Sequence, residues 1–136
     1  MAEATHRTVL SELEHGPFAA ALRLKIEACG EGDAAVRMPF GEALLNAGGL
    51  TVPIHGGAIA ALADVAACAA VWTMPRTRSS ATISITVNYA APAVNTDLVA
   101  RARVRRSGKR IASVAVEIRD QQDALIADAL VTYKIA

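Results

Sequence analysis

Cysteine is scarce in this chain, which has only Cys29 and Cys68 among its 136 residues. Two isolated cysteines lack the paired spacing of a zinc site and provide no disulfide framework. Cys68 lies in an apolar segment, where a thiol behaves as a small core side chain. Hydrophobic residues make up 53% of the chain, so we expect a sizeable hydrophobic core to stabilise one domain.

An excess of charge of one sign is also lacking, since 14 Lys and Arg against 13 Asp and Glu leave a net charge of +1. Bulk charge therefore indicates neither nucleic acid nor a membrane surface as a partner. Residues 56–72 form an apolar run that is too short to span a bilayer. The first residues lack the apolar core of a secretion signal, so we expect a soluble, cytoplasmic protein.

Polar residues are nearly absent from residues 56–72, where Asp64 is the only charged residue and no Ser, Thr or Asn occurs. A surface helix needs a polar face several residues wide, so we predict a helix that is buried nearly all round. A lone buried carboxylate is costly unless it is paired or used. We therefore predict a functional Asp64; the alternative is an aspartate at the solvent edge of a core helix.

Hydrophobic periodicity predicts the elements in chain order. Thr5 can cap a first helix, and the later strands alternate between apolar and polar residues. In the strand after the long helix, Ile83 and Ile85 share one face and Thr82 lies on the other. The predicted elements are a helix over 5–15, a hairpin over 20–29 and 34–38, a loop over 39–53, a helix over 56–74, and strands over 82–89, 98–106, 111–119 and 124–135.

These elements predict an α+β fold in a single domain over residues 1–136, with an N-terminal helical segment over 1–18. A helix buried on nearly every side needs cover all round. A curved antiparallel sheet of about five to six strands provides that cover.

Three motifs carry a resemblance to a known family. They are His55-Gly56-Gly57 followed by Asp64, then Asn88-Tyr89-Ala90-Ala91-Pro92-Ala93, then Arg106-Ser107-Gly108-Lys109-Arg110. Over about residues 20–135, their order and spacing resemble the hotdog-fold acyl-CoA thioesterases of the PaaI-like and 4-hydroxybenzoyl-CoA type. The resemblance implies a hotdog fold that hydrolyses a thioester with no metal and no cofactor, coenzyme A being part of the substrate.

The resemblance also implies catalytic roles. Asp64 acts as the nucleophile or as the general base for water, and the Gly56 amide polarises the thioester carbonyl. His55 helps to hold that site, and Thr82 assists. Many members carry an asparagine six residues before the histidine, where this chain has Gly49; Asn46 is the nearest substitute. His55 also has a plainer interpretation as a loop histidine packed for structure.

Coenzyme A contacts are implied at two further places. One is a basic turn, for which a solvated hairpin tip is the alternative interpretation; the other is the segment after the first strand beyond the long helix. The implied contact residues are Gly57, Tyr89, Ala91, Pro92, Ala93, Arg106, Ser107, Gly108, Lys109 and Arg110.

Helix geometry adds an inference about assembly. Gly56 and Asp64 are separated by roughly 12 Å along one helix, so they cannot serve the same carbonyl. Two antiparallel helices related by a two-fold axis bring one residue of each kind together. We therefore expect a homodimer with shared active sites. We also expect a dimer of dimers, and its packing through helices or through sheet faces stays open.

Two other classes stay open at this point. One is a hotdog hydratase or dehydratase, although the Asp-x-x-x-x-His arrangement of the hydratases is absent. The other is a non-catalytic module that binds acyl-CoA. The acyl group also stays open among aryl-acetyl, benzoyl and medium-chain fatty acyl groups.

Overall fold

The computed structural model describes residues 2–49 and 51–136. Within them lie three α-helices, a short 3₁₀ helix and six β-strands. The helices are α1 (Ala2–His15), α2 (Pro17–Leu22) and α3 (Gly56–Trp72), with the 3₁₀ turn at Glu42–Leu44. The strands are β1 (Lys25–Gly30), β2 (Asp33–Met38), β3 (Ser80–Tyr89), β4 (Leu98–Ser107), β5 (Ile111–Asp120) and β6 (Leu125–Ile135).

The strands form one antiparallel sheet in the order β1-β2-β4-β5-β6-β3. β4, β5 and β6 are consecutive neighbours, whereas β3 joins the far side of β6 and becomes an edge strand. The sheet packs against α3 chiefly through β2, β4 and β5. The predicted α+β architecture of a sheet around one long helix is therefore confirmed, with six strands.

The core lies between α3 and the inward face of the sheet. Leu62, Ala63 and Ala66 of α3 are fully buried, and they meet Val114 and Val131 of the sheet side. Burying a valine or leucine side chain contributes about 1.5–3 kcal/mol. Small alanines on α3 let the strands approach the helix closely, so the helix packs directly against the sheet. No helix in the described part of the chain is long and apolar enough to cross a bilayer.

The alternation predicted for β3 is wrong because the strand contains a β-bulge. Its pairing with β6 shifts register between Thr82 and Ser84. Thr82 pairs with Tyr133, and Ile85 pairs with an inward-facing valine of β6. Since the extra residue of a bulge changes the phase of the side chains, Thr82 and Ile85 share the face toward α3.

The N-terminal predictions need two corrections. α1 begins at Ala2, so Thr5 lies inside the helix and is not its cap, while Met1 lies outside the described residues. A second helix, α2, replaces the first part of the strand predicted over 20–29, because Pro17 opens a helical turn. Arg23 then ends α2 in the left-handed conformation, with φ 55°.

The loop before α3 and the end of α3 also differ from the prediction. The loop predicted over 39–53 contains a 3₁₀ turn, and Leu50 lies outside the described residues. α3 ends at Trp72, two residues before the predicted end, since Thr73 caps it.

Candidate active site

The start of α3 is fixed by His55. Its side-chain Nδ1 accepts a hydrogen bond of 2.8 Å from the Gly57 amide. The ring is exposed, and this hydrogen bond holds the first turn of α3, which is a structural role for the histidine. A Cβ at Gly57 would lie 3.0 Å from that nitrogen, which explains why this position carries no side chain.

The Gly56 amide lies at the first position of the helix. The Gly56 carbonyl accepts a 2.7 Å hydrogen bond from the Tyr89 hydroxyl, and a Cβ on Gly56 would lie 3.3 Å from that ring. Within residues 2–49 and 51–136, the Gly56 N–H donates to no protein acceptor. Amides at a helix start are free for anionic ligands and are favoured by the helix dipole. This N–H can therefore meet a developing oxyanion.

A groove of about 320 Å³ runs beside this amide. The structure thus brings Gly56 together with most of the segment assigned to coenzyme A beyond β3. The lining residues are Ile54, Gly56, Ile59, Tyr89, Ala90, Ala91, Pro92 and Ala93.

Asp64 lies two turns further along α3, where its carboxylate meets two hydroxyl groups. Oδ1 accepts a 3.0 Å hydrogen bond from Thr82, so the structure brings these two candidate residues together. The Tyr133 hydroxyl donates to the same oxygen. The prediction that Asp64 is buried on nearly all sides is wrong, since the residue is half-buried in the single chain. A hydrogen-bonded, partly dehydrated carboxylate is suited to act as a base or nucleophile.

Tyr133 is buried in the core and also contacts the candidate site. The side chain is 2% exposed, but its hydroxyl reaches both the carboxylate and the backbone carbonyl of Asp64, the latter at 2.7 Å. Burial raises the pKa of Tyr133, and the neighbouring Cys68 and Asp64 add to that rise. The hydroxyl therefore stays protonated and remains a donor.

Cys68 and Trp72 extend this polar cluster along α3. The Trp72 indole N–H donates to Ser80 at 2.8 Å, and the Cys68 sulfur lies 3.8 Å from the same hydroxyl oxygen. Burial raises the pKa of the Cys68 thiol to about 11. A protonated thiol is a poor nucleophile, so Cys68 does not compete with Asp64 for that role.

The structure does not bring Asn46 to the carboxylate. Its side-chain amide donates to the Pro53 carbonyl at 3.3 Å, and the residue is exposed. Within the described residues Asn46 has no hydrogen bond to Asp64.

The basic turn between β4 and β5 forms a separate part of the surface. Ser107 ends β4, and a shallow cavity of about 480 Å³ lies next to the turn. The cavity is lined by Arg106, Gly108, Lys109, Arg110, Ile111 and Ser113.

No group of three or more His, Cys, Asp or Glu side chains in the described ranges could hold a metal ion.

An antiparallel sheet around one helix, with a carboxylate and a free amide on that helix, defines a hotdog-fold protein with a candidate hydrolytic site. Residues 54–127 match the model of the thioesterase superfamily, which is more than half of the chain. The chain belongs to the thioesterase superfamily.

Relatives agree with this assignment. A protein of Halobacterium salinarum named as a candidate esterase is 33% identical over 100 residues, covering 71% of this chain and 66% of that protein. A second protein of that description, from Saccharolobus solfataricus, is 27% identical over 112 residues, covering 82% and 73%. This chain thus spans about two thirds to three quarters of these relatives' lengths.

A solved structure has the same fold. The Escherichia coli PaaI protein, from the phenylacetic acid degradation operon, superposes with a TM-score of 0.82 at 27% identity, covering 96% of this chain and 91% of that chain. Together with the family, these relatives support hydrolysis of an ester or thioester as the general activity.

Proposed function

We propose that this protein is an acyl-CoA thioesterase that cleaves a coenzyme A thioester to the free acid and the thiol. The observation that carries the proposal is the pair of groups on α3: the unpaired Gly56 N–H and the Asp64 carboxylate held by two hydroxyls. One stabilises negative charge, and the other supplies the base or nucleophile.

The chemistry needs both groups. Attack on the thioester carbonyl places negative charge on its oxygen, and a pre-oriented backbone amide in a water-poor site lowers that barrier. Asp64 either attacks the carbonyl carbon, forming an anhydride that water then opens, or removes a proton from the attacking water. In both routes the thiolate of coenzyme A leaves and the acyl carbon gains a water-derived oxygen.

A dimer brings the two groups to one substrate. Gly57, Ala61, Asp64 and Cys68 recur at helical spacing on one face of α3, and each remains at least partly exposed. That face has almost no polar side chains, so a second copy is its natural cover. We propose antiparallel packing of two α3 helices, which places Gly56 of one subunit opposite Asp64 of its partner.

The edge strand β3 supports the same arrangement. Ile83 is 55% exposed and Ile85 is 36% exposed. A ten-residue edge strand with apolar side chains offers unpaired backbone groups for pairing with another chain. Two β3 strands related by a two-fold axis would continue the sheet across the dimer.

We also propose a dimer of dimers. The face of the sheet away from α3 has a concavity of about 1130 Å³. Small residues such as Ala35 and Ala115 line it, with Arg101, Glu117 and Asp128 around them. A face with small residues and both signs of charge suits self-association around a two-fold axis.

We assign coenzyme A to the two surfaces described above. The groove beside Gly56 and Tyr89 suits the pantetheine arm near the thioester. The Arg106, Lys109 and Arg110 side chains suit the nucleotide phosphates, since guanidinium and ammonium groups bind phosphate strongly.

Thiol release from a panel of aryl and fatty acyl-CoAs tests the proposal. We expect turnover by the parent protein and a fall in kcat of about 10²–10⁴-fold in Asp64→Asn, the usual contribution of a positioned base. Asp123→Asn is the matched control, because Asp123 lies on an exposed turn with φ 63°, which asparagine accepts.

Two results would contradict the proposal. Asp64→Asn with parental kcat would exclude the mechanism. Tight binding of acyl-CoA by the parent without thiol release would identify a non-catalytic binding module instead.

A further inference from the structure

We infer that Tyr133 is a positioning residue for the reaction: its hydroxyl fixes the Asp64 carboxylate so that Oδ2 is the reacting oxygen. The inference rests on the proposed thioesterase function. It concerns a residue 69 positions beyond Asp64 in the chain.

The contacts of Tyr133 restrict the rotation of the carboxylate. Its hydroxyl lies 2.7 Å from the backbone carbonyl of Asp64 and also contacts Oδ1 of the same residue. One phenol therefore links the side chain of Asp64 to its own backbone. Rotation about either side-chain bond of Asp64 would break that link.

The two oxygens of the carboxylate are consequently different. Oδ1 accepts from Thr82 at 3.0 Å and from Tyr133. An ionised carboxylate oxygen has about two acceptor positions, so these donors fill Oδ1. Within the part of the chain that the structure describes, Oδ2 accepts no hydrogen bond from the protein. Oδ2 is therefore the oxygen available to water or to the thioester carbon.

The phenol itself is held firmly. Tyr133 pairs with Thr82 of β3 on one side and with Ala112 of β5 on the other, so its backbone lies between two strands. The side chain is 2% exposed. A rigid, buried donor keeps its position when substrate arrives, which is the requirement for pre-organisation.

Tyr133→Phe removes the hydroxyl and keeps the ring. We expect kcat to fall about 10- to 100-fold, since small misplacements of a reacting group have effects of this size. We expect KM for the same acyl-CoA to change less than about threefold, because the phenol does not bind substrate. A loss confined to kcat is the result that a merely structural role of Tyr133 would not produce.

Thr77→Val is the matched control. The Thr77 hydroxyl is also buried and also donates to a carbonyl of α3, that of Val71, at 2.8 Å. It has no contact with Asp64 among the described residues. This control should lose a similar amount of thermal stability while keeping the parental kcat.

A second variant covers the case in which Tyr133→Phe does not fold. Tyr133→3-fluorotyrosine keeps the shape and makes the phenol a stronger donor. Because a stronger donor makes the carboxylate a weaker base, kcat should fall below the parental value while KM stays the same.

The outcomes separate the two claims. A parent protein that cleaves none of the thioesters overturns the proposed function and this inference with it. An active parent whose Tyr133 variants both keep its kcat overturns the role of Tyr133 alone. A fall in kcat that Thr77→Val reproduces at equal loss of stability also overturns it.

Discussion

His55 performs at the start of α3 the task that serine, threonine or aspartate usually performs. Its Nδ1 satisfies the Gly57 amide, one of the orphan donors of the first turn. Because Nδ1 is the acceptor, a neutral imidazole carries its proton on Nε2. Within the described residues the cap leaves the neighbouring Gly56 amide without a protein acceptor, so this amide is available for the role in the proposed mechanism.

His55→Ala tests this cap. We expect the free energy of unfolding to fall by about 1 kcal/mol, the usual effect of losing an N-cap acceptor. His55→Asn should keep most of that stability, because its amide oxygen can accept from the same N–H. Denaturant unfolding of both variants provides the measurement.

His15→Ala, on the exposed surface of α1, controls for the loss of an imidazole. Equal stabilities of the alanine and asparagine variants at position 55 would show that the hydrogen bond contributes nothing.

Individual residues of the site differ in how far sequence predicts them. Asp64 was predictable because one acid stands among 16 other residues of an apolar run, an isolation visible without coordinates. Tyr133 was not, because its proximity to Asp64 depends on the register between β3 and β6. Alternation on β6 predicts that Tyr133 faces inward but does not identify its partner.

Among the elements, the hairpin of β4 and β5 carries the basic turn that the proposal assigns to the nucleotide phosphates. Arg106 and Lys109 stand on either side of its turn, away from the core. These two side chains either form a solvated hairpin tip or bind the phosphates of coenzyme A and raise the affinity for acyl-CoA.

Reversing Arg106 and Lys109 to glutamate distinguishes these two roles. We expect KM for acyl-CoA to rise at least about tenfold, equivalent to about 1.4 kcal/mol, with kcat nearly unchanged. The dependence of kcat/KM on salt should weaken, since screened attraction between opposite charges is removed. Steady-state kinetics between low and high ionic strength measures both effects.

Arg76→Glu, in the connector between α3 and β3, makes the same kind of charge change elsewhere. An unchanged KM at low salt in the hairpin variant would identify the turn as a solvated tip.

Regular stretches with clear periodicity were predicted well, whereas the bulge in β3 and the short helix α2 were not. Leu98, Ala100 and Ala102 face the core opposite the arginines of β4, as their alternation predicts. α2 was missed because Leu22 and Leu24 also alternate like a strand, although Leu22 ends a helix. Six residues carry too little periodicity to decide between the two.

At the scale of the whole molecule, the proposed function requires two chains. Asp64 and Gly56 lie on one helix about 12 Å apart, a separation set by helical rise alone. A partner subunit would therefore complete each site, and each chain would contribute to both.

Mixed dimers test this arrangement. Asp64→Ala removes the carboxylate, and Gly56→Val places a side chain against the Tyr89 ring. Each variant alone should be inactive. Unfolding and refolding them together should restore about a quarter of parental activity, because random pairing gives half heterodimers with one intact site each.

Heterodimers purified with two affinity tags provide the check. If they show no thiol release although both subunits are present, the carboxylate and the amide do not act across a two-fold axis.

The bulge in β3 has a consequence for how this chain tolerates changes in length. Thr82 faces Asp64 only because one additional residue interrupts the pleat before Ser84. Removing a single codon there would restore a regular strand and rotate the threonine away, with no change in the identity of any residue around the carboxylate. At this point, insertions and deletions threaten the chemistry more than most substitutions do.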